Sequence, residues 1–273
     1  MTILQYPGKK NSIANWIINR FPHDYQSMTY LEPFFGSGSI FFRKERSTIE
    51  TINDADEEIT NLFMQIRDNP DELMLLLMNT PWSRREYDLA FEKTDNLTEK
   101  ARRCIVRFWF TVGANVRNKN GMRIEIARNT GGFNYFHQKL PEIISLASRR
   151  LTHNKDGIIQ IENRDVFELI PIYDRENVFM YLDPPYLLET RKNKKVYRYE
   201  FSKEEHEKLL NLIVCSKAKI MISGYNSELY NDYLKGWYFD TTGTKDQAGN
   251  RRTECIWMNY SNSQLNFFMS EKI

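Results

Sequence analysis

Asp183-Pro184-Pro185-Tyr186, at the end of the apolar run Val178 to Leu182, is the segment of this 273-residue chain with the most to say about chemistry. By chance this tetrapeptide arises in roughly one chain of this length in a thousand. Adjacent prolines stop strand pairing, fix the backbone and leave carbonyls without competing N–H donors. A carboxylate and an aromatic ring are thereby held outside the carboxyl end of a strand, where open α/β sheets bind ligands. An exocyclic amino group on a nucleobase needs such a place: two acceptors for its two N–H donors and a flat surface for its ring. The two prolines alone would equally suit an ordinary strand-ending turn. Their position and neighbours favour a site.

A second cluster stands near the start. Glu32-Pro33-Phe34-Phe35-Gly36-Ser37-Gly38 follows the short extended stretch Thr29 to Leu31, and glycines there let a ligand come close to the backbone because no Cβ stands in the way. It is not a dinucleotide fingerprint, since Phe41 occupies the place of the third glycine, and no GxxxxGK[ST] phosphate loop occurs. Asp54 closes the next β-branched stretch, where an acid can either accept hydrogen bonds from ribose hydroxyls or cap a helix. His23, His137, His153 and His206 show neither HxxxH nor HExxH spacing, so no histidine-based metal site is expected.

These residues must be positioned by an alternating fold. Thr29 to Leu31 and Thr48 to Ile52 read as strands, and Ile40-Phe41-Phe42 as the start of a helix after the glycine turn. Glu57 to Ile66 has the helical spacing Ile59, Leu62, Phe63, Ile66. Between about Asn69 and Leu151 the rhythm gives way to helical stretches, with a hairpin signal at Asn120-Gly121. It returns with strands at Ile158 to Ile161, Asn177 to Leu182 and Lys219 to Ser223, and with a helix opened by a Ser202/Glu205 capping box. Trp237 to Asp240 and Glu254 to Tyr260 read as an antiparallel edge pair. The expected fold is α/β, a doubly wound, mostly parallel sheet interrupted by an insert.

In order along the chain, Tyr6-Pro7-Gly8-Lys9-Lys10, the Glu32 to Gly38 segment, Asn53-Asp54, Gly132-Phe133-Asn134, Asn163-Arg164-Asp165, Asp183-Pro184-Pro185-Tyr186 and Arg251-Arg252-Thr253-Glu254 resemble the motifs of Dam-type DNA adenine methyltransferases of the α arrangement. Lys9 stands where that family has a glycine. The resemblance implies a Rossmann-like methyltransferase domain over 1–68 and 152–273 and a mainly helical target-recognition domain with a β-hairpin over 69–151. It implies S-adenosylmethionine as cofactor, held by Tyr6, Lys10, Glu32, Pro33, Phe34, Gly36, Gly38, Asp54, Asp165 and Asp183. Lys10 would face the cofactor carboxylate, Asp165 the adenine amino group, and Phe34 or Phe35 would pack on the donor. Catalysis would belong to Asp183, Pro184, Pro185 and Tyr186, on a base flipped out of duplex DNA.

Net charge is only +2, so a nucleic-acid partner depends on local clustering. Arg102 to Arg128 holds seven basic residues against the single acid Glu125, and Arg117, Lys119, Asn120, Arg123 and Arg128 are its candidate DNA contacts. Arg191, Lys192, Lys194 and Lys195, interleaved with tyrosines just after the proline pair, are a second set. A solvated positive face is the plain alternative for both. Hydrophobic content of 41% excludes a disordered chain, and no apolar run approaches the roughly 20 residues of a membrane helix. The N-terminus has no signal-peptide pattern, and Cys104, Cys215 and Cys255 form no CxxC pair. A cytoplasmic monomer acting on double-stranded DNA is expected; the resemblance implies a four-base GATC-like site, and pairing in function with a restriction endonuclease, service to a virus and solitary action are all compatible with the sequence. Methylation of RNA or of a protein amide is the rival reading, and a catalytically silent DNA-binding protein a third.

Overall fold

Five strands run parallel in one sheet: β1 (Thr29–Glu32), β2 (Ile49–Asn53), β3 (Ile158–Glu162), β4 (Val178–Leu182) and β5 (Lys219–Gly224). Two more, β6 (Tyr238–Lys245) and β7 (Arg251–Met258), complete the order β3-β2-β1-β4-β5-β7-β6, with β7 antiparallel to both neighbours. The computed structural model describes residues 1–6, 8, 10–113, 119–124, 131–153, 157–190, 199–245 and 251–261. Strand order reverses between β1 and β4, which is where open α/β sheets form their ligand crevice. All of β4 is buried, as its unbroken apolar run requires of a central parallel strand. The expected edge pair is present and longer than its apolar cores suggested.

The helices are α1 (Ala14–Ile18), α2 (Glu57–Asp68), α3 (Pro70–Met78), α4 (Arg84–Leu89), α5 (Leu97–Phe110), α6 (Gly131–Asn134), α7 (Leu140–Leu151), α8 (Val166–Ile172), α9 (Lys203–Val214) and α10 (Glu228–Tyr233), with a π-helical turn at Tyr135–Lys139. In α2 the side chain of Asp56 caps Glu58 N–H, acids fill the first turn, and Ile59, Leu62, Phe63 and Ile66 face inward. The Ser202/Glu205 capping box opens α9. The segment 69–151 is mainly helical among its described residues. Its Leu73, Trp109, Phe136 and Ile144 share one hydrophobic cluster with Tyr30 and Ile159 of the sheet and Phe63 of α2.

Two local expectations fail. No α-helix follows Gly38; turns do, with Phe42 N–H on Gly38 C=O and Lys44 N–H on Ile40 C=O. Ile40, Phe41 and Lys44 are buried, and the bonds mix i→i+4 with the i→i+3 of Arg43 N–H on Ile40 C=O, so no continuous α-helical ladder builds up. Asn120-Gly121 is not a two-residue hairpin turn either. Thr111 pairs with Met122, and Gly121 C=O accepts Val112 N–H while Gly121 N–H donates to the Tyr87 hydroxyl. Gly121 therefore lies in one arm of the pairing, where tertiary partners outweigh its turn propensity.

Behind β1 a line of buried polar groups joins the insert to the sheet. Glu50, fully buried in β2, is bonded by Lys44 and by both terminal nitrogens of Arg150 from α7. The Lys44 ammonium lies 4.0 Å from the Tyr30 ring centroid, and the Tyr30 hydroxyl donates to Glu32 at 2.7 Å. Burial pushes Lys44 down to about 8 and Glu32 up to about 8, against the bond from Tyr30 and the charge of Lys44. Burial also opposes ionisation of Glu50, but Arg150 and Lys44 hold its carboxyl below the ordinary range. We expect Glu50→Leu to cost about 3–5 kcal/mol in urea unfolding, because two cations lose their shared partner. Glu32 has a folded pKa above its unfolded one, so its contribution is present at low pH and is lost as pH rises from about 4.5 through about 8. Glu32→Gln should flatten that fall, which can reach about 1.4 kcal/mol per pH unit. Urea midpoints at intervals across this window check it.

Candidate active site

A cavity of about 400 Å³ opens at the carboxyl ends of β1, β2 and β4, inside the range of about 300–1,000 Å³ usual for small-molecule sites. The turn after β1 contributes Pro33, Phe34 and Gly36 beside Glu32, and the residue after β2 is Asp54. Asp165 stands beyond β3, Asp183 and Pro185 beyond β4, and Tyr6 and Lys10 enter from the N-terminal segment. The fold thus gathers residues spread over 180 positions of sequence at one end of the sheet. Gly38, Pro184 and Tyr186 are not among its lining residues.

The two glycines have different reasons for being glycine. Gly36 has φ +53°, and a Cβ there would meet the Tyr6 ring at 3.1 Å on the cavity wall. Gly38 has φ +66°, and its Cβ would stand 2.6 Å from Phe35 and 2.7 Å from Phe42. Its expected approach to a cofactor is corrected: aromatic packing behind the loop fixes the residue. Phe35 is likewise a core residue, edge-on to Phe63 at 4.7 Å, whereas Phe34 faces Phe201 at 5.6 Å and Phe201 stacks on Phe167 at 5.8 Å. Phe167 and Phe201 line the cavity and were missed in the sequence. For Phe201 a signal existed, since it precedes the capping-box serine and packs on His206 one turn into α9, as a hydrophobic staple does.

Asp54 accepts Gly36 N–H at 2.7 Å with one oxygen and Asp56 N–H at 2.8 Å with the other. Asp56, not Asp54, caps α2, so the capping alternative falls away. Burial pushes Asp54 up to about 6, against these two hydrogen bonds. Asn53 ties three loops together, donating to Pro33 C=O at 3.0 Å and Arg164 C=O at 3.2 Å while accepting Arg164 N–H. Asp165 stands exposed at the cavity mouth and caps α8 through Phe167 N–H at 2.8 Å.

Lys10 does not stand off from the proline loop. Its Nζ lies 2.9 Å from Asp183 Oδ1, 3.2 Å from Glu254 Oε1 and 4.5 Å from the Tyr186 ring centroid. Ser223 at the end of β5 donates to the same Asp183 oxygen at 2.8 Å. The Tyr186 hydroxyl donates to Glu254, and its ring meets Tyr225 at 4.7 Å. Asp183 is therefore fixed by two donors beside the cavity, with a tyrosine ring held close by.

Much of the basic run is used inside the protein. Arg102 bonds Glu86 and Glu99, Arg103 bonds Glu99, and Arg107 bonds Glu58, so their expected part in a DNA-facing cluster is corrected. Lys119 pairs with Asp88 at 2.8 Å, with both side chains about half exposed, and Asn120 is exposed. The Arg123 backbone is held by Phe110 C=O and by the Trp82 indole N–H at 3.0 Å. Arg117, Arg128, Arg191, Lys192, Lys194 and Lys195 lie outside the described residues. Among the described residues no helix is long and apolar enough to cross a membrane.

Two structures of the rRNA methyltransferase aviRa from Streptomyces viridochromogenes resemble the chain at 15% identity and TM-score 0.42, covering 94% of it and 88% of the other, and at 14% and 0.37, covering 90% and 81%. The Type II methyltransferase M1.LlaDCHI of Lactococcus lactis subsp. cremoris is 27% identical over 282 residues, which is 94% of this chain and 95% of that protein. The family model for D12 class N6 adenine-specific DNA methyltransferases matches residues 6–248, from the Tyr6 segment through the glycine turn, the insert and the proline loop. The chain belongs to that family and is a site-specific adenine DNA methyltransferase, with DNA as its substrate and a methyl donor as its second reactant.

Proposed function

We propose that the methyl donor is S-adenosylmethionine and that the acceptor is the exocyclic amino group of an adenine flipped out of duplex DNA. The observation that carries this reading is the placement of Asp183 at the rim of a 400 Å³ cavity whose other walls suit an adenosine bearing an amino acid. Asp54 has a second lone pair on each oxygen for ribose hydroxyls, and its hold on Gly36 sets the level of the loop. Phe34, Phe167 and Phe201 offer aromatic surface for the donor's base, with Asp165 at the mouth for its amino group. Tyr6, Lys10, Glu32, Pro33 and Gly36 complete the wall on the methionine side. When bound, S-adenosylmethionine supplies an electrophilic methyl group on a sulfonium.

The remaining work falls to the protein. The adenine amino nitrogen is conjugated with its ring and poorly nucleophilic, so Asp183 and the Pro184 carbonyl accept hydrogen bonds from its two N–H groups and orient its lone pair. Asp183 need not be a strong base beforehand, because the nitrogen becomes acidic as the new bond forms. Pro185 stiffens the loop and Tyr186 gives the extruded base a stacking surface. Extrusion costs a few kcal/mol, offset by DNA contacts from the target-recognition segment 69–151 within a catalytic frame of 1–68 and 152–273. Arg117, Lys119, Asn120, Arg123 and Arg128 serve a groove there, and Arg191, Lys192, Lys194 and Lys195 serve phosphates beside the base. The enzyme acts as a cytoplasmic monomer on a GATC-like site, paired in function with a restriction endonuclease; similarity to a Type II methyltransferase favours the pairing.

Incubation with labelled donor and duplex DNA, structured RNA or protein tests the reading. Label should appear on DNA adenine; label on RNA or protein alone would overturn it. Asp183→Ala should lower the single-turnover rate on duplex DNA by about 10²-fold or more, and undiminished transfer would remove the role given to it. Arg123→Ala should weaken or relax site choice by about 1–3 kcal/mol at one base pair while donor affinity, read by calorimetry, stays unchanged.

A further inference from the structure

Glu254 has been given no part in the reaction, yet its surroundings are unusual for a strand carboxylate. It lies on β7 opposite Thr242 and next to Cys255, which pairs with Gly224 at the carboxyl end of β5. Only 4% of it is exposed, and it is not part of the cavity wall. Its carboxylate accepts the Tyr186 hydroxyl and faces the Lys10 ammonium at 3.2 Å. The same ammonium is 2.9 Å from Asp183. One buried cation thus spans two carboxylates, of which one is the proposed acceptor for the target amino group.

That arrangement creates a competition at Asp183. Lys10 and Ser223 already donate to its Oδ1, so an amino group that approaches this oxygen must share it with them or displace one of them. An ammonium as buried as Lys10 cannot simply be released, because a charge left unpaired in the interior is strongly unfavourable. A second carboxylate within reach removes the obstacle. Burial raises the Glu254 carboxyl above the ordinary range, opposed by the Lys10 ammonium, and the Tyr186 hydroxyl fixes the direction of the carboxylate. We infer that Glu254 is a positioning residue for the reaction: it retains Lys10 as its counter-ion when the adenine amino group takes over Asp183.

This inference rests on the reading of Asp183 as the amino-group acceptor. It makes the effect of Glu254 conditional on Lys10, which a purely structural role would not do. Single-turnover methylation of duplex DNA and donor affinity by calorimetry are to be measured on Glu254→Gln, Glu254→Asp, Lys10→Met and the double variant Lys10→Met/Glu254→Gln. Glu254→Gln keeps the side-chain size and an acceptor for Tyr186 but lets Lys10 close on Asp183, and should slow transfer by about 10²-fold with donor affinity unchanged. Glu254→Asp, which keeps the charge, should recover at least about tenfold of that loss, and the double variant should be no slower than Lys10→Met alone. Independent, multiplying losses, or Glu254→Asp as slow as Glu254→Gln, would overturn the inference. Should Glu254→Gln not fold, the double variant against Lys10→Met still decides, a further drop of about tenfold or more counting against it. A wild-type chain inactive on DNA, or an Asp183→Ala variant of full activity, would instead remove the functional reading beneath it.

Discussion

The parallel register of β1 against β4, Thr29 opposite Val178 and Leu31 opposite Met180, is the constraint on which the site depends. It sets the level at which the chain leaves the sheet on each side of the strand-order reversal. Glu32 is the last residue of β1 and Asp183 the first beyond β4, so the loops that follow the two strands emerge side by side. A slip of one residue would turn every side chain of one strand to the opposite face. β4, apolar on both faces, could not specify this register alone. The end of β1 is tied down on its other side by polar groups: Tyr30 reaches Glu32, and Asn53 at the end of the neighbouring β2 reaches Pro33.

Around that crevice buried charge is handled by sharing. Glu50 takes two cations, Lys10 takes two carboxylates, and Glu99 takes two arginines. A buried ion pair on its own contributes little net stability, because desolvation opposes the Coulomb attraction, but removal of one partner is strongly destabilising. Sharing changes that balance by leaving each ion a second partner when one is drawn away. Near Asp183 it gives the Lys10 ammonium a second carboxylate. Near Glu50 it serves rigidity, since Arg150 binds the last helix of the inserted segment to the second strand of the sheet.

What could be read in the sequence divides along contact distance. Local patterns were legible: the spacing of Ile59, Leu62, Phe63 and Ile66 gave α2, the Ser202/Glu205 pair gave the start of α9, and the apolar run before Asp183 gave a central strand. The acidic and aromatic residues lining the cavity were legible where they fell in short motifs, as Glu32, Phe34, Asp54 and Asp183 did. Features that depend on distant partners were hidden. Arg107 looks like a surface base until Glu58, on another helix, is brought to it. Gly38 reads as a ligand-facing glycine until Phe35 and Phe42 fold behind it, and Asn120-Gly121 reads as a turn until Tyr87 claims its N–H. Glu254 sat in a recognisable motif with no role, because its partners Lys10 and Tyr186 are 244 and 68 positions away.

A net charge of +2 conceals a separation of sign that matters for a two-substrate enzyme. Glu32, Asp54, Asp56, Asp165, Asp183, Glu200 and Glu205 all line the cavity, against Lys10 and Arg164. Two of the acids, Glu32 and Asp54, are pushed by burial toward the neutral form, which tempers the excess without removing it. An interior of this sign repels phosphate and favours a cationic ligand with many N–H and O–H donors. The polyanionic substrate must then be held from outside, by cations on surfaces flanking the mouth, and only an uncharged base can be admitted. Under the proposed reading the same field therefore sorts the two reactants before any specific contact forms: the sulfonium donor is drawn into the cavity, and the DNA backbone is kept at its rim.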